Sequence, residues 1–303
     1  MARTQPMFEI RGFKGKNNVP DPARVLPSDG VSFLSECRDT DVTDDMMPHR
    51  RTGFSSPSFP GILVHSLWSN GEVCLFIQGS DLKRLNLDYT AQTIFPGAGP
   101  SRMVYVDVNG KIYLTNGATI GYFREGAFND FPDPQQSYKS PMVPGHLIEY
   151  FNGRLYVGRD NEIWFSDPMA LMRTDRRRNF KHLPSRVTLL SAVDDGVYVS
   201  DQERTYFMAG GDPGEAALMN KADYPAIPYT AQKIEAERIG ELGLSGPAIL
   251  WASRMGICLG ASGGQFRNLT EDYYRIQGDL SSGSSLLRKR GDSHQYLVSL
   301  RGV

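Results

Sequence analysis

The chain has 303 residues, with 33 Lys and Arg against 34 Asp and Glu and a formal net charge of -1. That balance supplies no global field to gather nucleic acid or an anionic membrane, and no apolar run approaches the roughly 18 residues that a bilayer-spanning helix requires. With 40% hydrophobic residues, 31 Gly, 19 Pro and 14 Tyr, the composition describes a turn-rich globular protein whose main element is not the long helix.

Residues 1–59 read as an extended N-terminal arm. Residues 7–10 (MFEI) make a short strand, and Gly12, Gly15, Asn17, Asn18, Pro20, Pro22 and Pro27 then keep the chain irregular. Residues 31–37 (VSFLSEC) pack as a strand or a helical turn. Asp39, Asp41, Asp44 and Asp45 follow; without the central Gly and closing Glu of a calcium loop, they read as a solvated turn. The first residues lack the apolar core of a secretory signal, so the expectation is a chain made and used in a cytoplasm.

From residue 60 a repeat takes over. Its clearest copy is residues 150–167, YFNGRLYVGRDNEIWFSD, in which Asn152-Gly153 supplies the positive φ angles of a two-residue hairpin. Leu155, Val157, Ile163 and Phe165 alternate as in strands. Further copies centre on Gly71, Gly110, Gly196, Gly256 and Gly291, and the successive spacings of the six glycines are 39, 43, 43, 60 and 35 residues. A period near 40 with several short strands per unit is the signature of a β-propeller. The expected fold is therefore all-β, a propeller of about six blades spanning residues 60–303, with another layered all-β fold as the alternative.

Two stretches depart from the period. Residues 169–186 carry Arg173, Arg176, Arg177, Arg178, Lys181 and Arg186, the one dense basic run, which reads as a solvated inter-blade loop or as a contact to acidic protein or phosphate. Residues 211–247 read as a long inter-blade insertion, within which residues 229–242 (YTAQKIEAERIGEL) suit a short helix or a strand entering the fifth blade. The last unit supplies only about two strands. Residues 7–10 or 31–34 are the expected donors of a closing strand.

Catalytic constellations are absent from the sequence. There is no G-x-S-x-G elbow, P-loop, H-E-x-x-H, sialidase Asp-box or spacing that nominates a carboxylate pair. His49, His65, His146, His182 and His294 are spread singly. Cys37, Cys74 and Cys258 show neither CxxC nor Cys/His spacing, which argues against a disulfide framework and a zinc site. Cys74 and Cys258 fall in expected strands as inert thiols. No catalytic residue, metal or cofactor is expected.

Residues 13–54, FKGKNNVPDPARVLPSDGVSFLSECRDTDVTDDMMPHRRTGF, and the succession of residues 152–168 and 251–270 (WASRMGICLGASGGQFRNLT) together resemble the β-propeller nozzle or hub proteins of bacteriophage tails. The resemblance implies a non-enzymatic virion structural protein, assembled in the host cytoplasm. It further implies a ring, usually of six copies, docked on neighbouring tail components such as a portal adaptor, fibre or tail tip, with DNA passing through unread. Phe13, Lys14, Arg176, Arg177, Arg178 and Lys181 are the candidate partner contacts. The competing expectation is a propeller that binds or cleaves glycans, with Trp68, Trp164 and Trp251 as stacking platforms; the same tryptophans would alternatively fill inter-blade cores. A scaffold propeller of the WD or kelch kind is disfavoured, because neither signature repeats in register.

Overall fold

The computed structural model describes residues 12–16, 31–34, 40–42, 48–50, 63–239, 243–272, 274–290 and 293–302. At the N-terminus, β1 (Gly12–Lys16) and β2 (Val31–Leu34) pair in parallel, and β3 (Thr40–Val42) and β4 (Pro48–Arg50) pair antiparallel. The expected donor of a closing strand at residues 31–34 thus pairs with β1 in a sheet of its own. Residues 7–10, the other expected donor, lie outside the described residues, as do most of the four aspartates.

The body is a β-propeller. Its first sheet runs β5 (Val64–Ser69), β6 (Cys74–Gln78), β7 (Asp81–Leu85) and β8 (Ala91–Phe95). The second runs β9 (Val104–Val108), β10 (Lys111–Thr115), β11 (Ile120–Arg124) and β12 (Ala127–Asp130). A short pair then intervenes, β13 (Lys139–Pro141) with β17 (Arg173–Asp175), so the connection of residues 131–146 between the second and third sheets is itself tied down. The third sheet is β14 (Leu147–Phe151), β15 (Arg154–Arg159), β16 (Glu162–Phe165) and β18 (Phe180–His182), and the fourth is β19 (Leu189–Val193), β20 (Gly196–Ser200), β21 (Thr205–Ala209) and β22 (Leu218–Ala222). The fifth contains β23 (Gln232–Glu235), β24 (Pro247–Ser253), β25 (Gly256–Ala261) and β26 (Gln265–Asn268), and β27 (Leu280–Arg290) with β28 (Ser293–Gly302) forms a two-stranded sixth unit.

Local chemistry sets the meander. Asn109 and Gly110 (φ 53° and 73°) and Asn152 and Gly153 (φ 45° and 73°) take the left-handed pairs that let a two-residue turn follow the twist of its strands. Between sheets, apolar side chains from neighbouring units interlock. Leu75, Ile77 and Leu82 of the first sheet pack with Ile112, Leu114 and Phe123 of the second, and Tyr198 and Phe207 of the fourth pack with Ile249, Trp251 and Cys258 of the fifth. Because the third and fourth sheets are covered on both faces, their second strands, LYVG and VYVS, are apolar at consecutive positions rather than alternating.

The 211–247 stretch corrects an expectation. It contains two strands: β22 completes the fourth sheet, and β23 joins the fifth. In the neighbouring units β9 packs beside β14 and β14 beside β19; β19 in turn packs beside β24, so β23 lies one strand closer to the axis. Helix-forming composition is overridden there because Ile234 reaches a buried cluster with Ala248, Leu250 and Leu259; only residues 236–239 form a short 3-10 turn.

Candidate functional site

The inner strands converge on an axial channel of about 390 Å³, lined by Ser66, Arg102, Glu149, Ser191, Lys233 and Ser285 among others. Its electrostatic centre is Glu149, an acidic residue inside the otherwise apolar LIEYF strand. The carboxylate is buried, and Oε1 accepts hydrogen bonds from Lys233 Nζ at 2.8 Å and from the Tyr150 amide at 2.8 Å. Oε2 accepts from the Ala192 amide at 3.2 Å and the Ser191 hydroxyl at 3.3 Å. Four donors satisfy a charge that would otherwise be costly to bury.

On the first inner strand the ladder shifts register between His65 and Trp68, with Ser66 at φ 58°. This bulge turns the Ser66 hydroxyl to accept the Met103 amide at 2.9 Å, stitching the first unit to the second. His65 Nδ1 lies 2.7 Å from the same hydroxyl. Burial and then the Arg102 charge hold the His65 pKa below its ordinary value, which keeps the ring neutral.

Where the inner strands end, the channel opens into a cleft of about 1120 Å³. Phe151, Ala192, Val193, Ile234 and Leu287 give it an apolar floor. Its rim carries both signs: Arg238, Lys289 and His294 against Asp194, Asp195 and Glu235. Arg238 Nη1 donates to His294 Nε2 at 3.2 Å, and Asp195 Oδ2 accepts the Gly263 amide at 2.7 Å, so part of the rim is braced.

The residues singled out from sequence lie elsewhere. Phe13 and Lys14 are in β1. Arg176, Arg177 and Arg178 form the loop between β17 and β18, and Lys181 is on β18, the outermost strand of the third sheet. Much of this basic run has internal partners. Arg177 grips Asp175 through Nε (3.1 Å) and Nη2 (2.9 Å) and lies 3.9 Å over the Tyr138 ring. Arg178 sits 3.6 Å from Asp175, Arg173 sits 3.2 Å from Asp167, and Lys181 Nζ donates to the Gly214 carbonyl at 3.3 Å. Of the tryptophans, Trp251 is 0% exposed, the Trp164 indole donates to Glu162 and packs against Phe180, and Trp68 is half-buried and stacked on Tyr105 in the channel wall. Glu149 and Lys233 were missed; the one signal was a lone acid in an apolar strand.

No family model and no curated protein matches the sequence. Among solved structures, the chain is similar to the extracellular domain of the one-component system BT4673 from B. thetaiotaomicron, with TM-score 0.52 and 13% identity over 80% of this chain. The chain spans 32% of the length of that structure. It is also similar to a streptogramin B lyase (TM-score 0.45, 14% identity, covering 81% of this chain and 85% of that one) and to the N-terminal domain of Nup159 (TM-score 0.46, 12% identity, 78% and 72%). At these identities the likeness concerns the fold alone. The all-β propeller is shown.

The resemblance to bacteriophage tail proteins does not hold. The similar structures include bacterial extracellular and surface domains, a lyase, and nucleoporin and nidogen propellers, and the comparison gives no tail protein. One motif that carried it has a local cause, whereas most of residues 13–54 lies outside the described residues. In the N-L-T of residues 268–270, Asn268 Nδ2 donates to the Met255 carbonyl at 2.8 Å and Thr270 Oγ1 accepts the Ile257 amide at 2.9 Å. These contacts close a blade hairpin and report the fold rather than the family. The expectations that rested on the resemblance, a six-copy ring with DNA along its axis, lose their basis.

Proposed function

We propose that this propeller is a non-catalytic recognition module that binds an extended polypeptide segment of a partner across the cleft at the end of its axis. One observation carries the reading: the cleft of about 1120 Å³ combines an apolar floor with rim charges of both signs. That volume lies at the upper end of ligand sites, roughly 300–1,000 Å³, and leaves room for a chain segment. An apolar centre within a polar rim is the anatomy of a protein contact. The scaffold suits the task, because rigid interlocked sheets hold the strand ends and turns that face the partner.

Selection from a random-peptide library on the immobilised chain tests this. Enriched peptides sharing a short motif, with binding lost in Arg238→Glu and Lys289→Glu, are expected. A library with no enrichment over a blank support, or enriched peptides indifferent to both charge reversals, would overturn it.

A further inference from the structure

The start of the inner strands, at the other end of the axis, holds a second cleft of about 400 Å³. It is lined by Arg102, Arg159, Arg186, His146, Asp160 and Tyr229, with smaller residues between them. Arg102 is the cation that also reaches into the axial channel. Its Nη1 donates to the Gly283 carbonyl at 2.6 Å, and its guanidinium lies 4.2 Å over the Tyr229 ring. Tyr229 is held at φ 65°, a conformation uncommon for an aromatic residue, and thereby keeps its ring under the cation.

These groups orient a positive charge without neutralising it. Among the described residues neither Arg102 nor Arg159 takes part in an ion pair. Arg186 has only Asp160, at 3.7 Å with both side chains more than half exposed, a contact of the weak surface kind. His146 Nε2 donates to the Val187 carbonyl at 2.8 Å, and burial holds the ring's pKa below its ordinary value, so it adds no second buried cation. A partly desolvated guanidinium without a counter-charge is unfavourable unless an anion supplies one. Guanidinium forks match carboxylate and phosphate oxygens in pairs.

We infer that this cleft binds a small organic dianion through carboxylate or phosphate groups, with Arg102 and Arg159 as its principal contacts and Arg186 exchanging Asp160 for the ligand. The volume accommodates a small molecule and excludes a folded partner. This site is independent of the broad cleft at the opposite end, and either stands if the other fails.

Calorimetric titration of the full chain at low ionic strength with succinate, citrate and inorganic phosphate tests the inference, the three probes separating carboxylate from phosphate preference. Saturable one-site binding of at least one probe is expected. Arg159→Gln, at an exposed position, is expected to weaken it about tenfold, the scale of one charge-assisted pair. Arg102→Lys keeps the charge but not the fork and is expected to weaken it similarly, while Arg238→Glu at the far cleft leaves it unchanged. Absence of saturable heat with all three probes, or binding as tight as in the wild type in both Arg159→Gln and Arg102→Lys, would overturn the site. So would tighter, steeply salt-dependent binding of a short single-stranded oligonucleotide, which would reassign it to a polyanion.

Discussion

Glu149 and Lys233 meet at 2.8 Å across the propeller axis, although 84 residues separate them in sequence. Lys233 reaches the carboxylate only because β23 runs on the axial side of β24, so the pair fixes where the additional strand sits. The two partners are unequal. Lys233 is 53% exposed, whereas Glu149 is buried and also accepts from two amides and a hydroxyl.

Removing either side chain should therefore give different losses. Lys233→Ala leaves the carboxylate with three donors and is expected to cost about 1 kcal/mol, a value discounted for exposure. Glu149→Ala strands those donors and is expected to cost about 2–4 kcal/mol. Urea denaturation of both variants measures the asymmetry. Equal losses would show that the ion pair, rather than the amide bonds, dominates at Glu149.

The sequence makes the hairpins legible because their cause is local. Asn109-Gly110 and Asn152-Gly153 need only their own φ angles and the alternation beside them, and the strands lie where that pattern places them. The axial site depends on contacts between distant units. Nothing near Lys233 announces Glu149, and Arg102 meets Gly283 across 181 residues. At 229–242 composition suits a helix or a strand entering the fifth blade, and the strand forms because Ile234 finds a buried cluster. The basic run reads in sequence as a charge density; Asp175 lies only two residues from Arg177, whereas Tyr138 becomes its neighbour once β13 pairs with β17.

Gly260 tests how closely the fourth and fifth units approach. A Cβ there would lie 2.7 Å from the Tyr198 ring and 2.9 Å from the Trp251 ring. The Tyr198 hydroxyl is anchored within hydrogen-bond reach of the Ala261 and Gln265 carbonyls, at 2.9 and 2.6 Å, so its ring has little room to retreat. Gly260→Ala is expected to destabilise by about 1–3 kcal/mol, the usual cost of overpacking. Thermal denaturation would register it as a lowered Tm, and an unchanged Tm would mean that the two sheets separate easily.

Thiol chemistry should report the same packing. Cys258 is fully buried, and burial pushes its thiol up to about 11. Cys74 is half-buried, with its pKa raised for the same reason. Because the thiolate is the reactive form, iodoacetamide at pH 8 is expected to leave Cys258 unmodified in the folded chain and to label it on unfolding. Cys74 should react at an intermediate rate. Peptide mass spectrometry separates the two, and rapid native labelling of Cys258 would show that the seam between the fourth and fifth units opens.

Asp175 gives the stability a defined acid dependence. Its side chain is 1% exposed, and the hydrogen bonds from Arg177 hold its carboxyl far below the usual carboxylate range. A depressed pKa in the folded state means that the unfolded chain takes up the proton first as pH falls. The stabilisation is complete above the unfolded value near 4 and is lost as pH drops from there toward the folded value. Asp175→Asn removes this linkage while keeping the side chain's shape. The gap in Tm between wild type and the variant should be constant above about pH 5 and narrow steadily below about pH 4. A gap that stays constant to about pH 2.5 would mean that the loop of Arg176, Arg177 and Arg178 is held by packing on Tyr138 rather than by the carboxylate.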